Sequence, residues 1–344
     1  MVELKHFCKH CLRKKKGVSI MKGKIFSGMR PTGALHIGHL SVIQNWVNLQ
    51  KDYECYFSIV DLHALTTGYE DHLDLSRLRK EIALDWLSVG IDPEKSAVFL
   101  QSAVKEHAEL QLLLGMFTPL SWLERVPTYK DQIAQLSQQG KDLGMYGFLG
   151  YPLLMAADIL LYKSNLVPVG EDQIPHVELC REIARRFNHL YGTVFPEPKD
   201  SVGKVPLLPG VDGRKMSKSY HNAISLTASP AEIKERVQQM VTDPARLRKD
   251  DPGHPEVCVV YKFHQIYTPE VAEVEENCRG GKVGCVACKR HLAENLEKLI
   301  SPFRERRLYW EEPGRVEKVL KEGAERARET ASLTMKEVHS AMGL

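Results

Sequence analysis

Lys24-Ile25-Phe26-Ser27-Gly28, followed closely by Pro31-Thr32-Gly33-Ala34-Leu35-His36-Ile37-Gly38-His39, is the stretch on which the architecture turns. It reads as a strand over 24–27, a glycine turn, and a helix opened by His36-Ile37-Gly38-His39. Glycines permit close backbone approach, and a helix N-terminus offers free N–H groups to negative charge, so the unit suits a nucleotide. Outward from it, residues 39–51 carry Leu40, Ile43, Val47 and Leu49 at helical spacing. Cys55–Val60 is a nearly continuous apolar run, as a strand buried on both faces requires. A helix near 73–89 and a strand near Ala97–Leu100 repeat the unit. Strand alternating with helix predicts an α/β fold with a doubly wound parallel, Rossmann-like sheet, whose ligands sit at the carboxyl ends of the strands. From about 229 onward strand signals fade, and 229–241, 286–309 and 314–343 read as helices interrupted at Pro302 and Pro313. The expected division is a basic, flexible extension over 1–21, a Rossmann-like domain over 22–205, a hinge over 206–228 and a mostly helical C-terminal domain over 229–344.

Two further stretches carry chemistry. Lys215-Met216-Ser217-Lys218-Ser219 follows Gly210-Val211-Asp212-Gly213, so two lysines three apart could reach a polyphosphate from one loop. Taken alone, such a loop is usually just a solvated basic turn. His36 and His39 share one helical face and can meet the same phosphates, while Gly38 leaves room for an adenine face. Tyr151–Tyr162 reads as a helix entered at Pro152 and apolar nearly all round, with Asp158 as its one carboxylate. A buried carboxylate is costly unless something donates to it, so Asp158 is either paired within the core or set to receive a ligand. Tyr151, Met155 and Asp158 lie at i, i+4 and i+7, one stripe on one face.

The pair of motifs, in this order, resembles the HIGH and KMSKS signatures of class I aminoacyl-tRNA synthetases. An H-x-G-H turn also occurs in other nucleotidyltransferases, and the Lys215–Ser219 loop separates the two readings. The Tyr151-x3-Met155-x2-Asp158 stripe is similar to that of tryptophanyl-tRNA synthetases, where methionine replaces the glutamine of the tyrosyl enzymes. The resemblance spans about residues 22–344. It implies ligation of tryptophan to tRNA(Trp) at the expense of ATP with Mg2+, and catalysis by His36, His39, Lys215 and Lys218. ATP would be bound by Arg30 (where many bacterial members have glutamine), Thr32, Gly38, Gly170, Asp172, Lys215, Met216, Ser217 and Lys218. Tryptophan would be bound by Phe26, His63, Tyr151, Met155, Asp158 and Gln173, with Asp158 accepting the indole N–H. His176 reads as structural. A homodimer is implied too. A tyrosine-specific enzyme and a non-catalytic, synthetase-derived RNA-binding protein are the alternatives.

Cys258, Cys278, Cys285 and Cys288 read C-x19-C-x6-C-x2-C, with Gly280, Gly281 and Gly284 in the tight loop. Four thiols with one CxxC turn predict a metal site, zinc or a [4Fe–4S] cluster by spacing alone. Some bacterial tryptophanyl-tRNA synthetases carry a similar signature, which implies [4Fe–4S] in a structural role in the anticodon-binding domain. Cys8-x-x-Cys11, flanked by His6 and His10, is a weaker metal candidate. A chain of 344 residues with 43% hydrophobic and 26% charged residues is ordinary for a globular protein of two domains. A net charge of +3 is too small to mark a nucleic-acid binder, so RNA contacts must come from local clusters such as Arg181/Arg185/Arg186, Arg246/Arg248/Lys249 or Arg304/Arg306/Arg307. No apolar run reaches the ~18 residues of a membrane span and no secretory h-region follows the basic N-terminus, so the expected location is cytoplasmic.

Overall fold

A computed structural model describes residues 21–72, 74–137, 144–202, 208–216 and 220–344. The basic extension with Cys8 and Cys11, and Ser217 and Lys218 of the lysine loop, lie outside the described residues. Five strands, β1 (Lys24–Met29), β2 (Glu54–Ile59), β3 (Ser96–Leu100), β4 (Leu166–Val169) and β5 (Lys199–Val202), form one parallel sheet in the order β3-β2-β1-β4-β5. The chain leaves β1 for β2 and β3 on one side and returns to β4 on the other. That reversal opens a crevice at the carboxyl ends of β1 and β4, the place where such folds bind ligands. Cys55, Phe57 and Ile59 of β2 face one buried side and Tyr56 the other, which is why the run is apolar without alternation.

On one side of the sheet, Trp46 stacks on Phe57 with centroids 4.8 Å apart and meets Trp86 edge-on at 5.2 Å. These rings come from the helices Leu40–Leu49 and Leu75–Val89. On the other side, Tyr56, Phe99 and Tyr162 pack with Ala324, Ala327, Ala331 and Met335 of the last helix, Arg315–Met342. At Gly323 that helix lies on the backbone of β3: a Cβ there would stand 1.9 Å from the Val98 carbonyl oxygen, so only glycine fits. The Tyr56 and Thr330 hydroxyls meet at 2.7 Å. The C-terminal part is therefore helical, and its last helix doubles as a cover for the sheet.

The helix Pro230–Gln239 starts where the sequence predicts, because Ser229 and Glu232 form reciprocal caps: the Glu232 N–H donates to Ser229 Oγ at 3.2 Å and the Ser229 N–H to Glu232 Oε2 at 2.7 Å. Pro302, expected as an interruption, is instead inside one continuous helix, Cys285–Trp310. Proline in a helix interior costs roughly 3 kcal/mol, and burial of Leu292, Leu296, Ile300 and Phe303 along the same helix offsets it. Pro313 does fall between two helices. Among the described residues no helix is long and apolar enough to cross a membrane.

Candidate active site

A cavity of about 360 Å³ opens at the carboxyl ends of β1 and β4. Phe26, Arg30, His63, Tyr151, Met155, Asp158, Gly170 and Gln173, all expected at a site from sequence, line it together. Val42, Asn45 and Trp46 of the helix that follows His39 form another wall. His176, read as structural, also lines it; its Nε2 meets the Thr128 hydroxyl at 2.6 Å and its ring stands edge-on to Tyr151 at 5.4 Å. Burial, and then the neighbouring His63, push the His176 imidazole down to about 4.

Asp158 explains the apolar helix Tyr151–Leu161. It is 1% exposed, yet its carboxylate receives Gln101 Nε2 at 2.8 and 3.0 Å, His107 Nδ1 at 2.7 Å and His63 Nε2 at 3.0 Å. Burial would push the Asp158 carboxyl up; the His107 and His63 imidazoles beside it outweigh this and bring it down to about 2. Asp158 is thus an ionised acceptor at the wall of a mostly apolar cavity. His107 also meets Tyr162 Oη at 2.8 Å, and Tyr162 stacks under Phe26 with centroids 5.5 Å apart. Sequence reasoning missed Gln101 and His107. Gln101 follows β3 directly, at a strand's carboxyl end, which was the available signal. Nothing local distinguishes His107.

The His36–His39 turn stands beside this cavity, joined to it by the helix Leu40–Leu49. The two imidazoles lie 3.9 Å apart, and the His36 N–H donates to His39 Nδ1 at 3.3 Å. The turn is gripped by residues far away in sequence. The Ile37 N–H donates to the Ile224 carbonyl at 2.9 Å and the Leu226 N–H to the Leu35 carbonyl at 3.3 Å. The Leu35 N–H donates to buried Asp85 Oδ2 at 2.8 Å, and Arg307 Nη1 holds Asp85 Oδ1 at 2.8 Å. The Tyr267 hydroxyl donates to the Ile37 carbonyl at 3.3 Å.

Met216 is buried with its sulfur 3.4 Å from where a Cβ on Gly38 would stand, so the lysine loop is packed against the histidine turn. Exposed Lys215 is held through its backbone by the Asn222 amide at 3.2 Å. Thr32 and Asp172 are exposed and outside the cavity lining; Asp172 receives Gln173 Nε2 at 2.7 Å. Of the arginine clusters, Arg304, Arg306 and Arg307 serve internal ties: to the Ala228 carbonyl at 2.6 Å, to the Ser88 carbonyl at 2.5 Å, and to Glu81 and Asp85 at 2.6 and 2.8 Å.

Cys258 precedes the helix Val259–Tyr267, Cys278 lies in the last turn of Val271–Arg279, and Cys285 and Cys288 sit in the first turn of Cys285–Trp310. The four thiols share one neighbourhood. Burial raises Cys278, with Arg246 lowering it and Cys258 and Cys285 raising it further; burial and the other three thiols push Cys288 up to about 12. A Cβ on Gly253 would lie 2.6 Å from Cys278 Sγ, so glycine leaves the sulfur its room. Among the described residues, however, no three Cys, His, Asp or Glu side chains are grouped closely enough to hold a metal ion.

Residues 21–301 match the family of class I tRNA synthetases (W and Y). The tryptophan–tRNA ligase of Thermotoga maritima is 51% identical over 329 residues, covering 93% of this chain and 99% of its own. That of Aquifex aeolicus is 44% identical over 393 residues, covering 93% and 100%. The solved tryptophanyl-tRNA synthetase of Campylobacter jejuni, complexed with ADP and tryptophan, superimposes with a TM-score of 0.83 at 35% identity, covering 93% of this chain and 100% of that one.

Proposed function

The chain belongs to the class I tRNA synthetases (W and Y), and from that premise we infer that it is a tryptophan–tRNA ligase, which condenses L-tryptophan with ATP to tryptophanyl-AMP and transfers the acyl group to the 3′ end of tRNA(Trp). One observation carries the reading: a cavity at the sheet's switch point has an ionised carboxylate in its wall and, beside it, a histidine turn packed against a lysine loop. In the first step a tryptophan carboxylate oxygen attacks the α-phosphorus and pyrophosphate leaves in line, with its charge increased. Such a step calls for positioning and cations rather than covalent catalysis.

Asp158 accepts the indole N–H, while Phe26, His63, Tyr151 and Met155 form the apolar walls and Gln173 meets the ammonium and carboxylate end. His36 and His39 hold the phosphates from one side; Lys215 and Lys218, with Mg2+, stabilise the leaving pyrophosphate from the other. Arg30, Thr32, Gly38, Gly170, Asp172, Met216 and Ser217 complete the ATP site. A phenol could also donate to Asp158, so rejection of tyrosine rests on Met155 and the shape of the slot. Amino acid-dependent pyrophosphate exchange tests this: tryptophan should support it and tyrosine should not. Exchange with tyrosine alone would select the sibling specificity, and exchange with neither would select a non-catalytic RNA-binding role.

The same reading gives a cytosolic homodimer in which residues 229–344 bind the anticodon. Cys258, Cys278, Cys285 and Cys288 would hold a [4Fe–4S] cluster there: four soft thiol donors suit either zinc or a cluster, and the similar signature of some bacterial members of the family favours the cluster. When bound, the cluster supplies cross-linking between the start of Val259–Tyr267 and the two helices that follow, with no part in the acyl transfer.

A further inference from the structure

Asp158 is held from behind by a residue that never reaches the cavity. His107 is fully buried, is absent from the cavity lining, and bridges Asp158 Oδ1 at 2.7 Å to Tyr162 Oη at 2.8 Å. Tyr162 is itself fully buried, and His107 Nε2 is the hydrogen-bond partner of its hydroxyl among the described residues. A buried hydroxyl hydrogen without an acceptor is costly, so the Tyr162 O–H points at Nε2. The ring hydrogen then belongs on Nδ1, facing Asp158. The chain Tyr162 O–H to His107 to Asp158 therefore has one direction and fixes one tautomer.

The two carboxylate oxygens are unequal in consequence. Oδ1 is taken by His107 and Gln101; Oδ2 is shared by Gln101 and by His63, a residue of the cavity wall. Oδ2 is thus the oxygen on the ligand's side, and its direction depends on Oδ1 staying where His107 keeps it. Gln101 alone straddles both oxygens and does not select a rotation. We propose that His107, set in its tautomer by Tyr162, is a positioning residue for the amino acid: it turns Asp158 so that Oδ2 meets a ring N–H donor, and it acts without touching the substrate. This deepens the tryptophan reading and rests on it.

The test is tryptophan-dependent pyrophosphate exchange with three variants. His107→Leu removes the bond to Asp158. His107→Asn restores an N–H donor near the Nδ1 position while abandoning Tyr162, and Tyr162→Phe leaves the imidazole without its tautomer lock. The expected result for His107→Leu is a rise in KM for tryptophan of roughly tenfold to a hundredfold, the equivalent of one hydrogen bond to a charged group, with KM for ATP within about twofold. His107→Asn should recover most of the loss, and Tyr162→Phe should fall between wild type and His107→Leu. Equal rises for tryptophan and ATP, or a His107→Asn protein no better than His107→Leu, would overturn the proposal. Should His107→Leu not fold, Tyr162→Phe decides: a raised KM for tryptophan with an unchanged KM for ATP supports the proposal, and an unchanged KM for tryptophan overturns it. Wild-type protein lacking tryptophan-dependent exchange would sink the functional reading itself, so the two failures are distinct.

Discussion

Replacing Asp85 with alanine strikes the residue that ties the C-terminal helices to the entry of the histidine turn. Asp85 is 2% exposed and accepts two hydrogen bonds at 2.8 Å, from the Leu35 N–H and from Arg307 Nη1. The variant leaves the Leu35 amide, on a residue 4% exposed, without that acceptor, which costs about 1–3 kcal/mol. Breaking a buried ion pair costs a further 3–5 kcal/mol when the remaining charge is stranded. Arg307 is not stranded, since it keeps Glu81 at 2.6 Å and Glu311 at 2.7 Å. The amide term therefore dominates, and a loss of about 1–3 kcal/mol is expected. Urea unfolding measures it. Because the freed amide sits one residue before His36, kcat for pyrophosphate exchange and KM for ATP should worsen while KM for tryptophan holds. Asp85→Asn, which keeps one acceptor of similar shape, should lose less on both counts. A loss under about 1 kcal/mol for Asp85→Ala, or a tryptophan KM that rises with that of ATP, would refute the bracing argument.

Asp158→Ala should weaken tryptophan activation by two orders of magnitude or more, since a charged acceptor in an apolar cavity is lost, with ATP binding measured by equilibrium dialysis nearly intact; unchanged tryptophan kinetics would remove the assignment. Lys218→Ala should slow adenylate formation much more than it weakens ATP binding, because a cation that acts on the leaving pyrophosphate favours the transition state; equal losses would contradict this. His176 gives a pH dependence. Its folded-state value, about 4, lies below the ordinary 6.5, so the unfolded chain takes up a proton that the folded chain refuses. Stability from this group is complete above pH 6.5 and is lost as pH falls toward 4, amounting to about 3 kcal/mol. His176→Gln should show that much less acid destabilisation in urea titrations from pH 7.5 to 4, and an identical pH slope would count against the burial argument. Anaerobically purified protein should be coloured and contain about four irons and four sulfides per chain; colourless protein with one zinc would reverse that choice.

Sequence alone placed the parts whose causes are local. The apolar run of β2, the His36–His39 pair and the start of the helix near residue 229 each depend on neighbours a few residues away. The short strands β4 and β5 escaped notice because four residues give little pattern, Pro168 argues against a central strand, and Lys199-Asp200-Ser201 is polar. The continuity of the helix through Pro302 was decided by burial of its apolar face. What only the tertiary structure decided is which polar groups support which others. His107 and Gln101 lie 51 and 57 residues before Asp158, Asp85 50 beyond Leu35, and Tyr267 230 beyond Ile37. A side chain's type and spacing announce what it can donate or accept, but a buried donor's partner is set by which surfaces the folded chain brings face to face, and over such separations the sequence carries no periodicity that records it.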